Sequence, residues 1–161
     1  MEDLNRGIPC VENGYLSGHV ELLISSYKIL TGEELVDTAL TKEEAAKELF
    51  YSTHIILSHN TFSDPLLNYV NKAGLALFEL DWEKMLRTPS RLTAESIEQQ
   101  ARQKLLDEVS ANGFIDDYSG VRISSTRRRF EIEKATVWNL VDQFNIFHGQ
   151  AAIFSDWTHL D

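Results

Sequence analysis

Cysteine is almost missing from this chain: Cys10 stands alone among 161 residues. That excludes an internal disulfide framework and fits a reducing, cytoplasmic setting. Long apolar runs are also missing, and nothing approaches the roughly 20 residues of a membrane span. The opening MEDLNRGIPC is acidic and lacks the apolar centre of a secretory signal. Positive charge is scarce. Fifteen Lys and Arg face 25 Asp and Glu, giving a net charge of −10. Free nucleic acid and anionic membranes are therefore not the expected partners. There is no internal repeat, no low-complexity tract and no Gly/Ser-rich linker.

The chemical signatures that are absent narrow the field further. H-E-x-x-H, C-x-x-C and any paired Cys/His cluster are missing, so no metal site is expected. His54 and His59 are an odd number apart and point to opposite faces of a regular strand. Ser90 lies in TPSRL without a G-x-S-x-G frame. Asp116 and Asp117 are adjacent, so on a strand they cannot share one substrate as acid and base. Gly18, Gly32 and Gly74 are too dispersed for a phosphate loop. The only basic run, Arg127 to Arg129, is followed by Glu131 and Glu133 and reads as a solvated strand face with charge partners, the alternative being a phosphate-binding patch.

What is present is an ordinary globular composition, 43% apolar and 25% charged. A chain of this length buries about 68–70% of its unfolded surface, enough for one domain with a core. Residues 1–18 read as an irregular arm, and 19–161 as a single domain. SGHVELLISSYKILTG reads as a helix with Ser17 as cap, Val20, Leu23, Tyr27 and Leu30 as stripe, and Gly32 as stop. Thr41 and Glu44 have capping-box spacing at the head of a second helix. STHIILSH is a buried strand, NTFSDP a turn and LLNYVN a second strand. Asn71 then caps a short helix, KAGLALFE, and Asp81 caps a further turn before Thr88-Pro89 breaks it. In TAESIEQQARQKLLDEVSANG, Ile97, Ala101, Leu105 and Val109 form the expected stripe of a long helix. Three strands follow, FIDDYSGVRIS, RRFEIEKATVWNLV and FHGQAAIFSDW. Phe130, Ile132, Trp138 and Leu140 share parity on the middle one. The expected fold is α+β: a five-stranded antiparallel sheet with helices on one face and an N-terminal helical extension.

That order resembles a PAS-type domain, and the motifs resemble the MEKHLA family, a PAS-like module. The matching stretches are SHNTFSDPLLNYVNKAGLALFELDW, PSRLTAE, DYSGVRIS, RRFEIEKATVWNLVD and HGQAAIFSDW, between roughly residues 19 and 157. The resemblance implies a pocket between the inner face of the sheet and the short helices. It also implies a role in sensing and protein interaction, with no defined chemistry. MEKHLA modules end plant class III homeodomain–leucine-zipper factors and also occur as stand-alone bacterial and algal proteins, which this chain is similar to. By the same analogy Asn71 takes the place of the PAS asparagine at the strand–helix junction. Flavin-binding light sensors of this superfamily carry a reactive cysteine on a helix against the ring. DWEKMLRTPSRLT has none here, which argues against a cysteinyl–flavin adduct and leaves non-covalent flavin open.

The candidate ligand-binding residues are Asn71, Phe78, Trp82, Arg91, Tyr118, Arg122, Trp138, Gln150 and His59. Phe78, Trp82, Tyr118 and Trp138 supply aromatic lining. Arg122, between Val121 and Ile123, is expected to face inward, where an isolated charge is costly. Its partner is either an internal acid such as Asp81, Glu79 or Asp116, or a bound anion held bidentately. Arg91 has the same two readings. His59 is either a hydrogen-bonded turn histidine or a polar group at the pocket mouth, and Gln150 follows the PAS pattern of polar contacts from the last strands. No catalytic residue is assigned, and the cofactor is unknown. The leading expectation is a sensor or small-ligand-binding module without turnover. The alternatives are a ligand-free interaction or dimerisation module built on the N-terminal helix, and a small hydrolase or isomerase using His59, Arg122 or Asp81.

Overall fold

The structure is a computed structural model that describes residues 6–160; the first five residues of the expected arm lie outside the described residues. Among the described residues five α-helices are formed: α1 (Ser17–Thr31), α2 (Lys42–Tyr51), α3 (Lys72–Phe78), α4 (Trp82–Met85) and α5 (Ser96–Asn112). Six strands join them: β1 (Ile55–His59), β2 (Leu67–Val70), β3 (Phe114–Ile123), β4 (Arg129–Val141), β5 (Phe147–Phe154) and β6 (Asp156–His159). Short 3-10 turns occupy Val11–Leu16 and Ser90–Thr93. The N-terminal stretch packs on the core through the buried Tyr15.

Local chemistry sets most boundaries. Thr41 Oγ1 accepts from Glu44 N (3.2 Å) and Glu44 Oε1 accepts from Thr41 N (2.9 Å), a complete capping box. Asp81 Oδ1 accepts from Lys84 N at 2.7 Å at the head of α4. Gly32 closes α1 at φ 79°, a left-handed conformation that glycine adopts without strain. Ser17 is not a cap. Leu16 holds the cap position at φ 57° with no side-chain bond, and Ser17 is the first helical residue.

Helix α5 also departs from the expected stripe. Ile97 is 83% exposed and Ala101 is exposed as well. The buried face is Arg102, Leu105 and Val109, spaced i, i+3, i+7. The helix therefore leans on the sheet through its second half and brings an arginine in with it.

The sheet is antiparallel in the order β2-β1-β5-β4-β3. The expected fifth strand is split in two. Thr136 pairs Ile153 and Glu133 pairs Asp156, so β6 continues β5 along β4 in one register, with the ladder interrupted around Lys134 and Ser155. Lys134 has φ 56° and Asp117, opposite in β3, has φ 55°. Both positions are bulges, because the β3–β4 register shifts by one residue and returns.

That bulge overturns the expected parity of β4. A one-residue insertion flips every side chain beyond it. Phe130 and Ile132 lie on the inner face, where Phe130 meets the Phe78 ring at 5.2 Å. After Lys134 the inner face is carried by Val137 and Asn139, while Trp138 turns outward. Its ring packs on Tyr27 at 4.8 Å, and its Nε1 donates to Ser26 Oγ at 3.2 Å. Helices therefore cover both faces: α3 and α5 the inner one, α1 backed by α2 the outer one. Leu23, fully buried, belongs to that outer layer.

Candidate functional site

The inner face of the sheet leaves a cavity of about 60 Å³ beneath α5. Leu57 and His59 of β1, Gln150 and Ala152 of β5, Ile132 and Val137 of β4, and Tyr118 and Arg122 of β3 form its floor. Phe78, the Ser90–Thr93 turn, Arg102 and Leu105 form its roof and side.

Two glycines shape this space. Gly149 sits at φ 122°, and a Cβ there would lie 1.9 Å from the His59 carbonyl oxygen. Only glycine lets β5 approach β1 closely enough to set Gln150 opposite His59. At Gly120 a Cβ would meet Tyr118 Oη at 2.3 Å. The bare backbone lets the phenol lie back across β3, where it accepts from Arg122 Nη2 at 3.1 Å.

The polar groups divide into satisfied and unsatisfied. Gln150 Nε2 donates among Leu106 O, Ser110 Oγ and Asn139 Oδ1, each at 3.1 Å. With Asn139 Nδ2 donating to Val109 O at 3.0 Å, this network fastens α5 to the sheet. His59 Nδ1 donates to the Asn60 carbonyl at 3.0 Å, and that bond leaves Nε2 as an unprotonated acceptor. This Nε2 is buried and receives no hydrogen bond of normal geometry, although the Gln150 side chain lies beside the ring. Burial holds the imidazole below its ordinary pKa.

Two arginines enter the same cavity. Arg122 is 9% exposed, and Arg102 is 8% exposed. Arg122 Nη1 donates to Val121 O at 2.8 Å, and its guanidinium carbon lies 5.5 Å from the Tyr118 ring centre. Arg102 Nη2 donates to Ser90 Oγ. Among the described residues neither guanidinium has a carboxylate partner. The internal acids expected for Arg122 are elsewhere: Glu79 accepts from Ser124 and Thr126, Asp81 caps α4, and Asp116 is exposed in the β3 bulge. Burial, with Arg122 close by, pushes Arg102 down to about 10, so it stays cationic at neutral pH.

Of the candidate residues, His59, Phe78, Tyr118, Arg122 and Gln150 line the cavity. The other four do not. Asn71 is fully buried at the β2–α3 junction, where all its polar atoms are used internally. Trp82 packs edge-on against Tyr69 and donates to Arg6 O at 3.0 Å. Arg91 pairs with Asp64 on the surface at 3.2 Å. Trp138 is turned to the outer face by the Lys134 bulge. Arg102 and Thr93 are cavity residues that the sequence did not mark, and Ser90, weighed there only as a nucleophile, lines the cavity too. Arg102 sits in a polar run, yet its i, i+3, i+7 spacing with Leu105 and Val109 places it on the buried face. Among the described residues no cluster of three His, Cys, Asp or Glu is placed to hold a metal ion.

The fold is shared with known domains. A PAS domain of a protein from Colwellia psychrerythraea aligns with a TM-score of 0.57 and 14% identity, over 71% of this chain and 92% of that one. A light-oxygen-voltage domain described with a flavin analogue aligns with a TM-score of 0.55 and 12% identity, over 72% and 84%. At such identities the likeness is one of fold. The residues present do not fit a flavin. Sites for molecules of that size measure about 300–1,000 Å³, against the 60 Å³ here, and no cysteine lines the cavity.

In sequence, the homeobox-leucine zipper protein ATHB-9 of Arabidopsis thaliana is 25% identical over 147 residues, 86% of this chain. This chain spans 17% of that relative's length. The MEKHLA domain model matches residues 17–159, from the first residue of α1 to the last of β6. With that match running over the sheet, the cavity and both helical layers, this PAS-fold chain belongs to the MEKHLA domain family.

Proposed function

We propose that this chain is a sensor module that binds a small molecule beneath α5 and reports occupancy through the sheet to α1, without chemical turnover. The observation that carries this reading is the inner-face cavity, in which, among the described residues, one buried acceptor lacks a donor and two buried cations lack a counter-charge. Buried polar groups are normally satisfied, so an unpartnered His59 Nε2 and two arginines without carboxylates are unusual in a filled core. Leu57, Phe78, Leu105, Ile132 and Val137 make most of the remaining wall apolar, with Ser58, Thr93 and Gln150 as further polar groups, the usual make-up of a small-molecule site.

The strands supply the route outward. Along β4, Val137 faces the cavity and Trp138 faces α1; along β5, Gln150 faces the cavity. A ligand that shifts these strands also shifts the bond from Trp138 to Ser26 and the Tyr27 contact. Occupancy would then bias α1 and whatever protein it meets, provided the ligand favours one of two arrangements. A hydrolase or isomerase is the poorer reading, because none of the cavity-lining residues is Asp or Glu and Asp81 is used at the head of α4.

Native mass spectrometry and an absorbance scan of freshly purified protein test the proposal. A co-purifying mass, or a small molecule that binds in a one-to-one ratio and perturbs tryptophan fluorescence, is the expected result. A bare mass, with no binding from a neutral and ionic small-molecule library, overturns it in favour of a ligand-free interaction module.

A further inference from the structure

We propose that the ligand of this cavity is a short hydroxycarboxylate, its carboxylate taken by Arg102 and Arg122 and its hydroxyl by His59. This deepens the sensor reading and rests on it. Charge comes first. Two guanidiniums about nine-tenths buried line one cavity with no carboxylate from the described residues. Burying a charge without a counter-charge is costly, and two like charges add repulsion. A bound anion offsets both. The guanidinium fork matches a carboxylate bidentately. The neighbouring hydroxyls keep each arginine in place: Ser90 accepts from Arg102, and Tyr118 accepts from Arg122.

Size comes second. A water-sized group needs about 10–15 Å³ of this kind of volume, so a cavity of 60 Å³ holds about four to six non-hydrogen atoms. That admits carboxylates of two or three carbons and excludes aromatic ligands and dicarboxylates longer than oxalate. The walls come third. Leu57, Leu105, Val137 and Ala152 offer no donors. An inorganic oxyanion presents oxygens in every direction and would leave some unpaired against them, whereas the alkyl part of a carboxylate fits there. His59 decides the last feature. Its Nε2 is a buried acceptor without a donor, and a ligand hydroxyl supplies that donor.

The test is calorimetry and thermal unfolding of the full chain with sodium lactate, sodium propionate, sodium phosphate and sodium chloride at matched ionic strength. Lactate is expected to bind one per chain and to raise Tm by roughly 5–10 °C at a hundred times its Kd. Propionate, which lacks only the hydroxyl, is expected about 3–10-fold weaker. Phosphate is expected to act no differently from chloride. Arg102→Met should weaken lactate by more than about 10-fold. It should leave the unliganded Tm unchanged or higher, because an unpaired buried charge is removed. Arg122→Gln should lose lactate equally, and His59→Phe should erase the preference over propionate. Phosphate binding as well as lactate overturns the carboxylate assignment, and propionate equal to lactate overturns the role of His59. Lactate silence alongside binding of a neutral probe such as 1-propanol overturns the anion inference and leaves the sensor reading standing. Silence of every probe with a bare native mass overturns both.

Discussion

Asn71 illustrates how much one short side chain can hold. Its Oδ1 accepts from Ile56 N (3.1 Å) and Gly74 N (3.2 Å), and its Nδ2 donates to His54 O (2.7 Å) and Leu49 O (3.0 Å). It thus caps α3 and ties the end of α2 and the start of β1 to the β2–α3 junction. Asn71→Ala removes a cap worth about 1 kcal/mol and strands buried backbone groups at about 1–3 kcal/mol each. We expect a loss of about 3 kcal/mol or more in urea unfolding. Any ligand affinity should be retained in the folded fraction, since Asn71 does not touch the cavity. Gly149→Ala should be comparably harmful for a different reason. It forces a Cβ into the His59 carbonyl and an unfavourable φ, at about 2–4 kcal/mol, again read from the urea midpoint.

At the scale of the element, β4 is the instructive case. Its inward residues are Phe130 and Ile132 before the bulge and Val137 and Asn139 after it. Deleting Lys134 would put Trp138 and Leu140 on the cavity side and Val137 among the α1 contacts. The variant is expected not to fold, as read by loss of near-ultraviolet circular dichroism. Lys134→Gly keeps the extra residue and relieves a left-handed φ of 56°. It should match or exceed the parent in thermal unfolding. Helix α5 carries the complementary lesson. Its amphipathic pattern is interrupted by an arginine on the buried side, and such an interruption marks a site more often than it marks an error of packing.

For the whole molecule, one face of α1 belongs to the core, because Leu23 and Val20 are fully buried against the outer face of the sheet. Leu23→Asp is therefore expected to unfold the chain, by more than about 3 kcal/mol, rather than to dissociate a dimer. Circular dichroism and gel filtration together distinguish the two outcomes. His19 joins α1 to the sheet. Its Nε2–H donates to Ser58 Oγ at 2.9 Å, and Ser58 in turn donates to Asn68 Oδ1 at 2.6 Å. Burial, with smaller contributions from Arg6 and His148, lowers its pKa to about 3. The unfolded chain takes up that proton near the ordinary value of about 6.5. Stability is thus full above pH 6.5 and falls as pH drops below it toward 3. The urea midpoint should decline between pH 7.5 and pH 5, and His19→Gln should flatten that decline.

The sequence by itself determined the features that depend on near neighbours. The Thr41–Glu44 box, the Asn71 and Asp81 caps, the Gly32 stop and the change of period after Gly113 are all decided within a few residues. Together they specified an antiparallel α+β chain of PAS type. Five of the nine candidate residues, His59, Phe78, Tyr118, Arg122 and Gln150, lie at strand or helix positions that line the cavity. What only the tertiary structure decided was whatever depends on contacts far along the chain. The paired bulges at Asp117 and Lys134 are stabilised across strands, and they alone sent Trp138 outward. The tilt of α5 exposed Ile97 and drew Arg102 inward. The absence of a carboxylate beside two buried arginines is a property of three-dimensional packing, because 25 acidic side chains were available in sequence and none of those in the described residues was folded to within reach.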